Sequence, residues 1–367
     1  MALAPTPIIV DRKTLLLALG VVACGACAAA CLAGRETLLL GSALWFLRWP
    51  VAALSGLLGL GAVRGRPLLA LAALATAGAL SAEWMAERAD RAAPQPVPAR
   101  DAFELTLVTH NVLFRGGDPE RTVEALVAAD ADVVALQEVT PAWAARLERS
   151  LRADHPYALL APREGALGYA LYSRYPLTGP AALRAHGQGG FAQCARLELP
   201  SGPLPICNLH LSAPPLTARL RAQEANARTR AAQWERVKAF LDMGGKGPAL
   251  AVGDLNTADH EPLYRRIASE FVDAAGTTAL LPGRTFPNPD LAPLGPLVRI
   301  DYVLARGGVQ PVEATVGRDT GSDHLLVRAV LRLRGAPPHR ASGPGPGSRE
   351  LLRRPGARAR TERITPL

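Results

Sequence analysis

The sequence predicts an α/β fold, strands in two layers with helices outside, preceded by an apolar helical region. Three observations predict it. Between residues 101 and 334, apolar runs of strand length alternate with charged helical segments. Residues 14 to 82 hold long runs of Leu, Ala, Val and Gly with few charges. Several apolar runs end on a carboxylate, an imidazole or an amide, which is where an α/β enzyme keeps its chemistry. A chain of 367 residues with 49% hydrophobic content can build a sizeable core in one or two domains.

The apolar region reads as about three transmembrane helices within residues 1–90. Thr14 to Gly34 is about long enough to cross a bilayer and lacks a clean small-residue cleavage site. The stretch Leu38 to Val63 carries Arg48, Trp49 and Pro50, so the span is placed after them, from about Pro50 to Val63, with Arg48 and Trp49 at the interface. Pro67 to Ala82 supplies the third. Arg12, Lys13, Arg64 and Arg66 then share one side, cytoplasmic by the positive-inside rule, which puts the large domain outside the cell membrane. Arg35, Arg48, Arg88 and Arg91 dilute that signal.

Residues 91–102 are a Pro-rich linker and residues 335–367 a disordered tail rich in Pro, Gly and Arg. The tail contributes to the net charge of +9; next to a bilayer it would be drawn to anionic lipid, the alternative being a solubilising end with no target. Cys24, Cys27 and Cys31 read as small apolar residues packed among helices. Cys194 and Cys207 lie on neighbouring strands joined by "PSGP", where a bridge needs particular geometry; the sequence favours free thiols.

Within residues 103–334 the strands are "FELTLVTHNV", "DVVALQEV", "YALYSRYPL", "FAQCARLEL", "LPICNLHLS", "PALAVGDL", "RIDYVLA" and "LLVRAVLRL". Helices are expected at "DPERTVEALVAADA", around "EPLYRRIASEF", and over the long segment carrying Leu220, Trp234, Val237 and Leu241, whose Arg-rich face reads as solvated. Gly253, before Asp254, is expected to let the backbone turn sharply as it leaves the sheet.

The polar strand ends are Asn111 in "LVTHNV", Glu138 in "VVALQEV", His210 in "ICNLHLS", and Asp254 with Asn256 in "LAVGDLN". Asp301 in "RIDYV", and Asp323 with His324 in "GSDHLLV", follow. Singly, a Gln-Glu pair, one His or a Ser-Asp-His turn is common composition. The combination in this order is not.

These motifs, "HNV", "LQEV", "GDLN", "RIDYV" and "SDH", resemble the endonuclease/exonuclease/phosphatase superfamily over about Phe103 to Leu333. The apolar region, "GRTFP" and "RIDYV" together look like its membrane-anchored bacterial branch. The resemblance implies a four-layered α/β sandwich, two mixed β-sheets flanked by helices, and a metal-dependent phosphoric-ester hydrolase. It makes Glu138 the main Mg2+ ligand, with Asn111 and Asp323 beside it and Mn2+ as a substitute metal. Hard cations of this kind take carboxylate and amide oxygens. Asp254 would orient or deprotonate the attacking water, and Asn256 would donate to the nucleophile or a phosphoryl oxygen. His324, held by Asp301, would act as base or cation, and His210 would donate to a phosphate oxygen or leaving group.

Two departures weaken a DNA-repair reading. Several nucleases of the family carry a Tyr shortly before the His210 position, where Ile206 and Cys207 stand, and abasic endonucleases carry an acidic residue at the place of Leu113. The loop from Gly283 to Val298 is expected to shape substrate access. A tethered enzyme suits a substrate within the membrane, a phospholipid or polyprenyl (pyro)phosphate. The alternatives are an extracytoplasmic nuclease acting on DNA or RNA, with nucleic acid as partner, and a non-catalytic binding protein on the same fold.

Overall fold

In this computed structural model the described residues are 12–33, 51–60, 66–89, 97, 102–184, 190–215, 220–278, 283–288, 298–317, 321–334 and 362–363. The chain forms two compact units, residues 1–90 with 260–265, and the remainder.

The first unit contains the helices α1 (Arg12–Ala33), α2 (residues 51–60) and α3 (Pro67–Ala89). They meet through small and apolar residues: Cys24, Ala28, Val51, Ala52 and Leu80 are buried together, which allows close helix approach. Cys24 is a free, buried thiol, as expected of a small packing residue. Long side chains point away from that contact, and Leu16, Leu57 and Leu68 are 69%, 68% and 80% exposed. Among the described residues no helix is long and apolar enough to cross a membrane, which corrects the expectation of about three transmembrane helices there. Part of the reason is visible in the elements. The helix α3 reaches 23 residues only by continuing through Glu83, Glu87 and Arg88. Arg35, Arg48 and Trp49, most of the 91–102 linker and, apart from 362–363, the 335–367 tail lie outside the described residues.

The second unit contains two mixed β-sheets flanked by helices. The seven-stranded sheet runs β11 (Val309–Val316), β12 (Val327–Arg334), β1 (Ala102–Asn111), β2 (Val133–Gln137), β4 (Tyr169–Ser173), β3 (Tyr157–Ala161) and β13 (Glu362–Arg363). The six-stranded sheet runs β5 (Leu177–Arg184), β6 (Gly190–Leu199), β7 (Gly202–His210), β8 (Ala249–Asp254), β10 (Asp301–Arg306) and β9 (Val272–Asp273). Alternation sets the layers. On β1, Phe103, Leu105 and Leu107 join Leu197, Ile206, Val252 and Val303 in the core shared by the two sheets. Val108 on the opposite face packs with Leu126 of α4 (Pro119–Ala128) and Leu147 of α5 (Pro141–Leu151).

Both of these helices start at a polar cap followed by proline, which needs no backbone N–H in the first turn. Asp118 accepts from Arg121 N at 3.1 Å, and Thr140 accepts from Trp143 N at 3.2 Å. The helix α5 and the strands β3 and β11 add to the elements the sequence pattern suggested. On α6 (Leu220–Leu241), Trp234, Val237 and Leu241 are buried and Arg221, Arg228 and Arg236 exposed. Arg230, buried, departs from the solvated face and donates to Asn226 Oδ1. Two shorter helices, α7 (Pro262–Ala268) and α8 (Ala274–Thr278), complete the order.

Three expectations are revised. "YALYSRYPL" is not one strand: the chain leaves β4 at Ser173 and enters β5, in the other sheet, at Leu177. The break is fixed locally, because Ser173 Oγ accepts from Tyr175 N at 2.9 Å and Arg174 pairs with Asp130 and Asp132. Gly253 lies inside β8 rather than at a turn beyond it. Its φ is +129°, and a Cβ there would stand 2.2 Å from Leu209 O on the neighbouring strand. The glycine therefore serves close backbone approach. Gly253→Ala is expected to cost about 3 kcal/mol or more, read as a lower urea midpoint.

Third, Cys194 and Cys207 are bridged rather than free. They face each other directly in the β6–β7 register, with Cα atoms 4.1 Å apart, and both are fully buried. Replacing both by Ala is expected to cost about 2–3 kcal/mol, the loop-closure contribution for a separation of 13 residues, checked by urea unfolding of the double variant.

Candidate active site

Each sheet contributes one parallel pair to the site. In β1–β2, Asn111 is level with Gln137, and Glu138 follows directly. In β7–β8, His210 is level with Asp254. Parallel strands end at the same edge, so four polar residues emerge together. The antiparallel neighbours begin where these strands end: Asp301 of β10 pairs with Asp254, and the turn holding Ser322, Asp323 and His324 leads into β12 beside β1. That geometry explains why chemistry sits at the ends of some strands and the beginnings of others.

The contacts close the set. Asn111 Nδ2 lies 3.1 Å from Glu138 Oε1 and 3.2 Å from Asp254 Oδ2, donating to both. Glu138 Oε2 accepts from Phe114 N at 3.0 Å. His210 Nε2 stands 3.6 Å from Asp254 Oδ2 and 3.8 Å from Glu138 Oε1. Its Nδ1 faces the Ala166 carbonyl at 3.0 Å, and because a carbonyl only accepts, Nδ1 carries the proton there. His324 Nδ1 donates to Asp301 Oδ2 at 2.9 Å, and its Nε2 is 3.7 Å from Asp254 Oδ2.

Two of these residues sit in left-handed backbone: Glu138 has φ +62° and Asn256 φ +48°. Such a conformation costs on the order of 1–3 kcal/mol for a side-chain-bearing residue and is kept where surrounding contacts fix it. Asn256 N donates to Asp254 Oδ1 at 2.8 Å, and its Nδ2 donates to Leu211 O at 3.0 Å and approaches Asp254 Oδ2 at 3.3 Å. Here the amide holds the aspartate in place.

Burial and charge tune the titrating groups. Asp254 is pushed up to about 6, first by burial and further by Asp301, while His324 and His210 act against the rise. His324 is raised to about 10; burial opposes this, but Asp301 and Asp254 on either side prevail, so the imidazolium is kept at neutral pH. Asp323 is raised chiefly by burial and also by the charge of Glu138, with His324 opposing. Tyr169 is raised above its ordinary value by burial and by the Asp254 and Glu138 charges.

Asn111, Glu138 and Asp323 offer hard oxygen donors, and a divalent cation held there would relieve the mutual repulsion of the two nearby carboxylates. Among the described residues, Asp254, Asp301 and His324 also cluster tightly enough to hold a metal ion, their ligand atoms within 4.8 Å of one another. The chemistry argues against His324 as a ligand, since a ligating imidazole nitrogen must be unprotonated and this ring is held as the cation by two carboxylates.

Further residues complete the site. Ser322 Oγ donates to Asn111 O at 2.7 Å and accepts from His324 N at 3.1 Å, tying the last motif to the first. Asn288 grips the same turn, its N donating to Asp323 O and its Nδ2 to Ser322 O, each at 2.7 Å. Phe286, in the loop expected to shape access, lays its ring 4.9 Å from that of His324. These contacts had no signal in the sequence beyond the "GRTFP" and "GSDH" stretches. His110, next to Asn111, is fully buried and held down to about 3 by burial and by His324.

The model of the Endonuclease/Exonuclease/phosphatase family matches residues 108–324, more than half of the chain and the whole span from Asn111 to His324. The chain belongs to that family. Members of the endonuclease/exonuclease/phosphatase family are in general metal-dependent phosphoesterases or nucleases, which agrees with the oxygen-rich site. Two solved structures with TM-scores of 0.50 show the same fold. An endonuclease/exonuclease/phosphatase from Bacteroides vulgatus is 18% identical over 63% of this chain and 99% of its own, with a TM-score of 0.50. Humanized TDP2 from D. rerio is 16% identical over 62% and 98%, also with a TM-score of 0.50. An endonuclease/exonuclease/phosphatase from Beutenbergia cavernae is 24% identical over 64% and 72%, with a TM-score of 0.49. Among curated proteins none matches this chain.

Proposed function

We propose that this chain is a Mg2+-dependent phosphoric-ester hydrolase whose substrate is a lipid-linked phosphate or pyrophosphate at the outer face of a membrane. The observation that carries the reading is the convergence of Asn111, Glu138, His210, Asp254 and His324 through contacts of 2.9 to 3.8 Å, with Asp301 anchoring the last. Glu138, Asn111 and Asp323 would hold the cation, which when bound supplies positive charge to a phosphoryl oxygen. Asp254, raised to about 6 and holding two hydrogen bonds from Asn256, is suited to take a proton from the attacking water. His324, fixed by Asp301, presents a cation to the developing negative charge. The Nε2 edge of His210 faces the same space, placed to donate to a phosphate oxygen or the leaving group when it carries a proton.

Two features support the membrane setting. The buried Cys194–Cys207 bridge belongs to an oxidising compartment, as outside the cytoplasm. The exposed leucines of α1, α2 and α3 form apolar surface of the kind that settles into lipid. The test is a parallel assay of the purified full chain in detergent, with Mg2+ or with chelator. The substrates are a phospholipid, a polyprenyl pyrophosphate and plasmid DNA. Metal-dependent phosphate release from a lipid substrate is expected. Nicking of DNA that falls steeply with salt would replace this reading with a nuclease, and no turnover of any substrate would end it.

A further inference from the structure

A cavity of about 650 Å³ opens beside the site, along the edge formed by β3, β4, β5 and β6 and roofed by α5. The space exists because its wall is built from small side chains, Ala144, Ala145, Ala182 and Ala192 among them. Leu160 and Leu167 add apolar surface, and the ionic residues on the wall are Arg163, Arg184 and Glu148, a net cationic lining. Arg236 adds a further positive charge close by, donating to the Arg184 carbonyl. Gln193, buried on the same wall, donates through Nε2 to Leu159 O, while its Oε1 has no hydrogen-bond partner among the described residues.

The turn between β3 and β4 touches both the cavity and the site. The Ala166 carbonyl on that turn holds His210 Nδ1, and the next residue, Leu167, lines the cavity. Tyr169 lines it too, while its hydroxyl donates to His210 O at 3.4 Å and Gly190 O at 3.1 Å. The turn is pinned to the Glu138 side by Val139 N donating to Gly168 O and Arg163 N donating to Val139 O. The cavity therefore neighbours His210 through the Ala166–Leu167 turn and Tyr169.

We propose that the cavity is a subsite for the organic portion of the ester, an amphiphile with an apolar chain against Leu160 and Leu167 and a second anionic group on Arg163 and Arg184. This rests on reading the neighbouring site as that of a phosphoric-ester hydrolase. The apolar wall selects the chain, and the arginine pair selects a charge that the phosphoryl site does not use.

The test is equilibrium binding of three non-hydrolysable phosphonates to the full-length chain in Mg2+ buffer: methylphosphonate, octylphosphonate and ω-carboxy-octylphosphonate. The octyl chain is expected to tighten binding about tenfold over methyl, and the carboxylate about fivefold more. Arg163→Ala with Arg184→Ala should erase the second gain alone. Ala145→Trp, at an exposed position on the cavity mouth, should erase the first. All variants should still turn over the small ester bis(p-nitrophenyl) phosphate at the unaltered rate. Equal affinity for the three phosphonates, or gains that survive both sets of substitutions, overturns the subsite and leaves the hydrolase reading standing. Failure of the unaltered chain to cleave the small ester strikes the hydrolase reading, and the subsite with it.

Discussion

Glu138→Ala is expected to lower kcat/KM by about 10³-fold while the protein stays folded, and Glu138→Gln to lower it nearly as far. Glutamine keeps the shape and a hydrogen-bond acceptor for Asn111 Nδ2 or Phe114 N, so packing survives in that variant. What both variants lose is the negative charge at the centre of the proposed cation site. Titration calorimetry with Mg2+ should show weakened binding in parallel with the lost activity, and circular dichroism should show an unaltered fold. Full activity in both variants would mean that Glu138 is only a strand-end residue held in an unusual backbone conformation.

His324→Ala is expected to reduce activity by about 10²–10³-fold and to change the pH dependence of stability. The imidazolium lies between Asp301 and Asp254, and its removal leaves two buried carboxylates without their cation. The sign follows from the raised pKa. His324 titrates near 10 in the folded chain and near 6.5 when unfolded, so its stabilising contribution is fully present below 6.5 and is lost as pH rises through 10. The thermal midpoint of the unaltered protein should therefore fall between those pH values, and the fall should flatten in His324→Ala. Asp254 should respond as well: His324 lowers its pKa, so the variant's remaining activity should have its acid limb shifted above about 6. An unchanged pH–stability curve would show that His324 is not held as the cation.

The strands and the polar strand ends were legible because each is encoded within a few residues. "FELTLVTHNV" alternates because β1 has one face toward the other sheet and one toward the helices, and "QEV" and "GDLN" mark ends because apolar runs stop there. The helix α5 was less legible: its apolar residues Trp143, Leu147 and Leu151 share a short segment with Arg146, Glu148 and Arg149 on the polar side. The split of "YALYSRYPL" between two sheets depends on Arg174 meeting Asp130 and Asp132 more than forty residues away. The roles of Ser322 and Asn288 were hidden for the same reason, since short polar residues near a Ser-Asp-His turn look like any other loop.

By itself the sequence determined which residues are chemically competent and in what order they occur, because side-chain period, turn chemistry and residue type are local properties. Tertiary structure alone decided that they share one place. Asn111 reaches Asp254 across 143 residues of chain only because the two parallel pairs, one in each sheet, end at the same edge. The Cys194–Cys207 bridge, the approach of Leu209 to Gly253 and the cavity walled by alanines have the same origin. Each is set by strand register and by the packing of distant segments, quantities that no local stretch of sequence contains.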